Sequence, residues 1–84
     1  MYTIDENWGA APERIREYFF SLPGAEETEN GCVLGSVRIE LEGVPALAMN
    51  RWPITRTHIV FSGEEAEVKS VHHGFFMHFI SAGG

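Results

Sequence analysis

The sequence predicts an α+β fold, a two-layer sandwich in which an N-terminal helix, an antiparallel meander sheet of three to four strands and a C-terminal helix follow one another. Apolar residues recur with helical spacing in residues 12–22 and 62–84, and they alternate with polar residues in residues 37–61. Neither helix can bury its apolar stripe alone, so both are expected on the apolar side of the sheet. A chain of 84 residues without repeats or a linker forms one domain, residues 1–84.

The N-terminal region contains a segment of mixed character and then a helix. Residues 1–9 alternate apolar and polar side chains, which fits a short edge strand or an arm packed on the domain, and we favour the arm. Pro12 suits the first turn of a helix. The helix should end at Leu22, because Pro23 disfavours helical geometry in the residue before it and Gly24 can adopt positive φ. The apolar face of this helix is predicted to contain Ile15, Tyr18, Phe19 and Leu22.

The central region has the pattern of strands joined by turns. The pair Asn30 and Gly31 is typical of a tight turn, and Gly43 is predicted to turn the chain a second time. Pro45 cannot donate a ladder hydrogen bond, so either its strand lies at a sheet edge or Pro45 is among the first residues of that strand. The strands are predicted at residues 32–34, 37–42, 44–49 and 56–61, with a loop at residues 50–55.

Residues 62–84 carry the largest apolar face of the sequence and are predicted to form one amphipathic helix. Ser62 and Glu65 have the spacing of a capping box at its start. Gly74 should cost about 1 kcal/mol relative to alanine, so we expect close packing or a bend there. Phe76 and Ile80 fall on the flank of the stripe. The stripe itself contains Val68, Val71, His72, Phe75, Phe79 and Ala82.

Composition and charge limit the function classes. Six basic and twelve acidic residues give a net charge of −6, which disfavours nucleic acid or an anionic membrane as partner. The single cysteine, Cys32, cannot form an intramolecular disulfide and fits a reducing compartment. No signal peptide or membrane-spanning run is apparent, so a cytoplasmic protein is expected.

The sequence offers weak candidates for chemistry. Histidines that bind zinc from one helix usually lie three or four residues apart, whereas His72, His73 and His78 have spacings of one, five and six. We therefore expect His72 at the edge of the core with one hydrogen bond. Cys32 is expected as a small buried apolar residue. The glutamates before the first turn, Glu26, Glu27 and Glu29, are expected in solvent, and no catalytic residue, cofactor site or metal site is predicted.

Several large apolar side chains do not fit the predicted core and suggest a protein interface. Phe20 lies off the apolar face of the first helix, and Trp52 follows Arg51 in the predicted loop. Aromatic, methionine and arginine side chains are enriched at interface centres. The predicted interface residues are Phe20, Arg51, Trp52, Met77 and Ile80. Burial of Phe20 and Trp52 against the domain is the alternative.

The last two residues, Gly83 and Gly84, suggest a second function. A small acidic domain ending in two glycines resembles the ubiquitin-like sulfur carriers of the MoaD and ThiS type, and the resemblance implies that the terminal glycine is adenylated and thiocarboxylated. The order of a helix ending in Leu-Pro-Gly, acidic residues, strands and a second helix is also similar to that of the small YjbR-type domains, which implies no residue role here.

The sequence thus predicts a small non-enzymatic domain that binds a protein partner or associates with itself. A carrier that uses the diglycine is the first alternative, and a histidine-based metal-binding protein is the second.

Overall fold

The computed structural model describes residues 1–45 and 55–81, and in them a five-stranded antiparallel sheet is combined with two helices. The α+β prediction is confirmed, although a strand now precedes the first helix. The strands lie in the order β1-β5-β4-β3-β2 across the sheet. The elements in chain order are β1 (Tyr2–Trp8), α1 (Pro12–Phe20), β2 (Ala25–Thr28), β3 (Gly31–Leu34), β4 (Val37–Pro45), β5 (Thr55–Gly63) and α2 (Glu65–Ser81).

The N-terminal segment is an edge strand, so our preference for an arm is wrong. β1 pairs with β5 over its whole length, from Tyr2 opposite Gly63 to Trp8 opposite Thr57. This pairing satisfies backbone groups that an arm would have to leave to water. Since β1 and β2 lie at opposite edges of the sheet, α1 crosses the sheet between them.

The predicted turn at Gly43 is also wrong. Gly43 lies inside β4, where it pairs with Thr57, and the strand continues to Pro45. β4 therefore pairs directly with β5. Val44 and Pro45 belong to β4 and do not begin the separate strand predicted at residues 44–49. The remainder of that predicted strand and most of the predicted loop lie outside the described residues. A glycine in the sequence suggests a turn. In this strand, however, Gly43 and both of its neighbours pair with consecutive residues of β5, so the strand continues.

β2 and β3 form a hairpin in the region where the sequence predicted a tight turn. Thr28 pairs with Gly31, so Glu29 and Asn30 are the two turn residues. The short strand predicted at residues 32–34 is present as β3, and a second two-residue turn begins at Gly35, which has a φ of 63°. That left-handed conformation favours glycine.

The core lies between one face of the sheet and the two helices. α1 packs on β2, β3 and β4, and α2 packs on β1, β5 and β4. Thr57, on β5, is fully buried and donates a hydrogen bond from Oγ1 to the Ala10 carbonyl oxygen at 2.7 Å. The buried apolar residues are Ile15, Phe19, Cys32, Val37, Ile39, Ile59, Phe61, Val68, Phe75 and Phe79.

α2 begins two residues later than the capping box would require. Ser62 and Gly63 end β5, and Glu64 precedes the first helical residue. The Ala66 backbone N–H donates to Glu64 Oε1 at 3.4 Å, and the Val68 N–H donates to the Glu64 carbonyl oxygen at 2.9 Å. Glu64 is therefore the N-terminal cap. The prediction failed because pairing with β1 and β4 holds Ser62 in the sheet.

The rotation of α2 agrees with the predicted stripe. Val68, Phe75 and Phe79 are buried, and Val71 is partly buried against them. Ala82 lies outside the described residues. The helix is continuous through Gly74, and a Cβ at that position would lie 3.4 Å from the Tyr18 hydroxyl. Gly74 therefore faces α1, but a Cβ there would make only ordinary contact, so neither the close packing nor the break in the helix that we expected at Gly74 is found.

Candidate protein-binding site

The outer side of α2 carries a short row of exposed apolar side chains, which we call the α2 flank and define as Phe76, Met77 and Ile80. Their exposed fractions are 37%, 48% and 54%, respectively. At 100° per residue, Ile80 lies 40° and Met77 lies 100° around the helix axis from Phe76. The three side chains therefore form one surface that is about one helical turn long.

The base of the α2 flank is held by Trp8 at the sheet edge. The Trp8 and Phe76 rings form a T-shaped contact at a centroid distance of 5.9 Å, and the Trp8 ring also contacts the buried Phe75 at 4.8 Å. Trp8 Nε1 donates to Glu6 Oε1 at 3.0 Å, and His72 Nε2 lies 2.8 Å from the same oxygen. A strand residue and a helix residue thus share one carboxylate, which fixes α2 over β1.

Phe20 does not belong to this surface. Tyr18 contacts α2 through Phe79 and His78, at centroid distances of 5.7 and 4.5 Å. Phe20 follows Tyr18 by two residues and lies about 200° around the axis of α1, on the side of β2. It is 38% exposed. The interface predicted from the sequence is therefore divided, and its members Arg51 and Trp52 lie outside the described residues.

Sequence reasoning placed Phe76 beside the core stripe and left it out of the interface. Its pairing with Trp8 depends on β1, which we had expected to be an arm, so the sequence carried no signal that the outer half of the Phe76 ring would stay in solvent. The periodicity did put Phe76 and Ile80 on the same flank.

The histidines are distributed over both layers. His72 is at the edge of the core with a hydrogen bond to Glu6, as predicted. His58 lies on the sheet face opposite the helices, with Nε2 donating to Asp5 Oδ1 at 2.5 Å and Nδ1 lying 4.0 Å from Glu42 Oε2. Within the described parts of the chain, no group of three or more histidine, cysteine, aspartate or glutamate side chains is arranged to hold a metal ion.

The open face of the sheet contains a shallow depression that sequence reasoning missed. It has a volume of about 410 Å³, and its lining includes Glu40, Glu42, His58 and Val60. The alternation in residues 37–42 predicted a face in water. It could not show that β1 would bring Asp5 to His58, because that contact joins residues 53 positions apart.

Cys32 is buried in the core, as predicted, with an exposed fraction of 2%. Burial raises the pKa of its thiol, which disfavours the nucleophilic thiolate. Of the glutamates, Glu26 and Glu27 are exposed on β2, and Glu29 is exposed in the following turn. Glu27 lies 3.5 Å from Arg16 of α1, a surface ion pair worth about 0.2–1 kcal/mol.

The proposed carrier residues Gly83 and Gly84 lie outside the described residues, so the diglycine function stays a prediction. In the described part of the chain, neither helix is long and apolar enough to cross a membrane.

Comparison of the chain with protein-family models, with curated proteins and with solved structures finds no match in any of the three.

Proposed function

We propose that this chain is a non-enzymatic protein-interaction domain and that the α2 flank is its recognition surface. The observation that carries the proposal is the placement of Phe76, Met77 and Ile80. Of the five exposed large apolar residues in the described part of the chain, these three fall within about one turn of one helix. An apolar row on a helix offers the alternating anchors that a groove or a second helix recognises.

The surroundings of the α2 flank support the same reading. The Phe76 ring packs on the Trp8 ring, and the position of Trp8 is fixed by its hydrogen bond to Glu6. A side chain held in one position loses less conformational entropy when a partner binds it. Aromatic and methionine side chains are also the types enriched in interface centres.

The partner is proposed to be a protein, either another chain or a second copy, in the cytoplasm. The net charge of −6 supports a partner other than nucleic acid or an anionic membrane. No cofactor is proposed. The carrier function at Gly83 and Gly84 is the alternative from the resemblance, but those sulfur carriers have a strand before the tail, whereas the last element in the described residues is α2.

The proposal is tested by placing the photoreactive amino acid benzoylphenylalanine at Ile80 and irradiating the protein in cell extract and in pure form. A discrete crosslinked product is expected, and its mass distinguishes a second copy from another protein. Phe76→Ser in the same chain should abolish the product, because it removes an anchor from the same surface.

Benzoylphenylalanine at Glu26 is the matched control, because that side chain is exposed but lies on the opposite face of the sheet. Equal crosslinking at both positions, or no product at Ile80, would show that the α2 flank is not a recognition surface.

A further inference from the structure

The two edges of the sheet differ in a way that points to a second interface. β2 has only four residues, two of them glutamates, and so has the features with which proteins block edge-to-edge pairing. β1 has seven residues, contains no proline, lysine or arginine, and pairs with β5 without a bulge. Within the described residues, no strand pairs with the outer side of β1. Its outward backbone N–H and C=O groups can therefore bind a further strand.

We propose that this further strand is β1 of a second copy, paired antiparallel about a two-fold axis at Ile4. The result is a dimer with one continuous sheet. In this register Ile4 lies opposite its own equivalent, Thr3 lies opposite the second copy's Asp5, and Tyr2 lies opposite the second copy's Glu6. Each pair is favourable across strands, because it joins two apolar side chains or a hydroxyl and a carboxylate.

Charge disfavours two of the other registers that a two-fold axis allows. An axis at Asp5 would place two aspartates opposite each other, and an axis at Glu6 would do the same with two glutamates, which is destabilising. The Lys69 ammonium lies 5.4 Å from the centroid of the Tyr2 ring. The Ile4 register therefore brings Lys69 close to the second copy's Glu6, and the contact occurs twice because the interface is isologous.

The carboxylates of β1 do not block this edge. Inward-pointing charges are one means of protecting an edge strand. Glu6 points towards the helices, but it already accepts hydrogen bonds from Trp8 and His72. Asp5 points to the open face and accepts a hydrogen bond from His58. Both charges thus have partners within the chain.

The helices leave room for the second copy. α2 packs on both β1 and β5, so its axis lies above that pair of strands. With strands about 4.8 Å apart, the two α2 helices of the dimer would lie about 10 Å apart, which is a normal interaxial distance. Trp8 of β1 contacts Phe76, so the α2 flank lies on the side of α2 that faces the second copy. The substitutions at Thr3 below test the pairing of β1 without changing a residue of the flank.

The test is the oligomeric state of the full chain, measured by sedimentation equilibrium over a concentration series. The wild type should approach twice the chain mass of 9.4 kDa. Thr3→Asp adds a carboxylate opposite Asp5 at two places in each dimer, and it should raise the dimer Kd about tenfold. Thr3→Lys should keep or tighten the dimer, because it places an ammonium there instead.

Ser70→Asp is the control, since it makes the same change in net charge at an exposed position of α2. It should leave the Kd within about twofold of the wild type. Thr3 is itself exposed, so folding is expected to survive both substitutions, and far-UV circular dichroism verifies this. A wild type that stays monomeric at about 1 mM, where binding worth only about 4 kcal/mol is half complete, would overturn the proposal. Equal Kd values for Thr3→Asp and Ser70→Asp would overturn β1 as the interface.

Discussion

The adjacent residues Phe75 and Phe76 allow the same chemical change to be made on two sides of α2. Phe75 is fully buried, and its ring contacts those of Trp8, Phe19 and Phe61 at centroid distances of 4.8, 5.6 and 5.6 Å. Phe75→Ala should lower the free energy of unfolding by about 3–5 kcal/mol, because the lost transfer energy is joined by the cost of a cavity. Domains of this length have about 4–13 kcal/mol in total, so this loss is about a quarter of the stability or more.

Phe76→Ala should cost much less. The ring is 37% exposed, so about two-thirds of the burial energy of a phenylalanine is lost, about 1–2 kcal/mol, and solvent fills the space. Urea unfolding followed by far-UV circular dichroism measures both values by linear extrapolation. The protein concentration must be equal throughout, because association of folded chains adds apparent stability. If the two variants lose the same free energy, the rotation of α2 described above is wrong.

Three further predictions concern single positions. Gly74→Ala should raise the free energy of unfolding by about 0.5–1 kcal/mol in the same urea assay, because the new methyl reaches only normal contact with the Tyr18 hydroxyl; a loss of stability would contradict this. Thr57→Val should lower it by about 1–3 kcal/mol, since the Ala10 carbonyl loses its buried donor, and Thr57→Ser should recover part of that loss if the hydrogen bond is the cause. Burial raises the pKa of the Cys32 thiol, so the folded state resists its ionisation. The free energy of unfolding should therefore fall as the pH rises above the unfolded pKa of about 8.5. If Cys32→Ala shows the same dependence of the free energy of unfolding on pH between about pH 8.5 and 10, this explanation is refuted.

The parts of the fold that sequence analysis predicted correctly depend on local periodicity. The burial of Ile15 and Phe19 in α1 follows from side chains spaced three to four residues apart, and so does that of Phe75 in α2. The inward face of β5 follows from strict alternation around Ile59. Such patterns show which face of a helix or strand is buried, and they do so without information about the element that packs against that face.

The errors occurred where a distant partner decides the local structure. The local sequence of residues 1–9 suggests an arm, but pairing with β5 makes them a strand. Gly43 suggests a turn, but pairing with Thr57 keeps it in β4. Ser62 suggests a helix cap, but pairing with β1 and β4 keeps it in β5. In each case ladder hydrogen bonds to a strand far along the chain outweighed a local preference.

The candidate site divides in the same way. The sequence alone determined that Phe76 and Ile80 share one flank of a helix, because a 100° step per residue is a property of the chain itself. Only the tertiary structure decided that Trp8 supports that flank and that β1 lies at the edge of the sheet. The bond between Glu6 and His72 joins residues 66 positions apart, and no local pattern encodes such a pairing, because its register is set by the packing of the whole sheet.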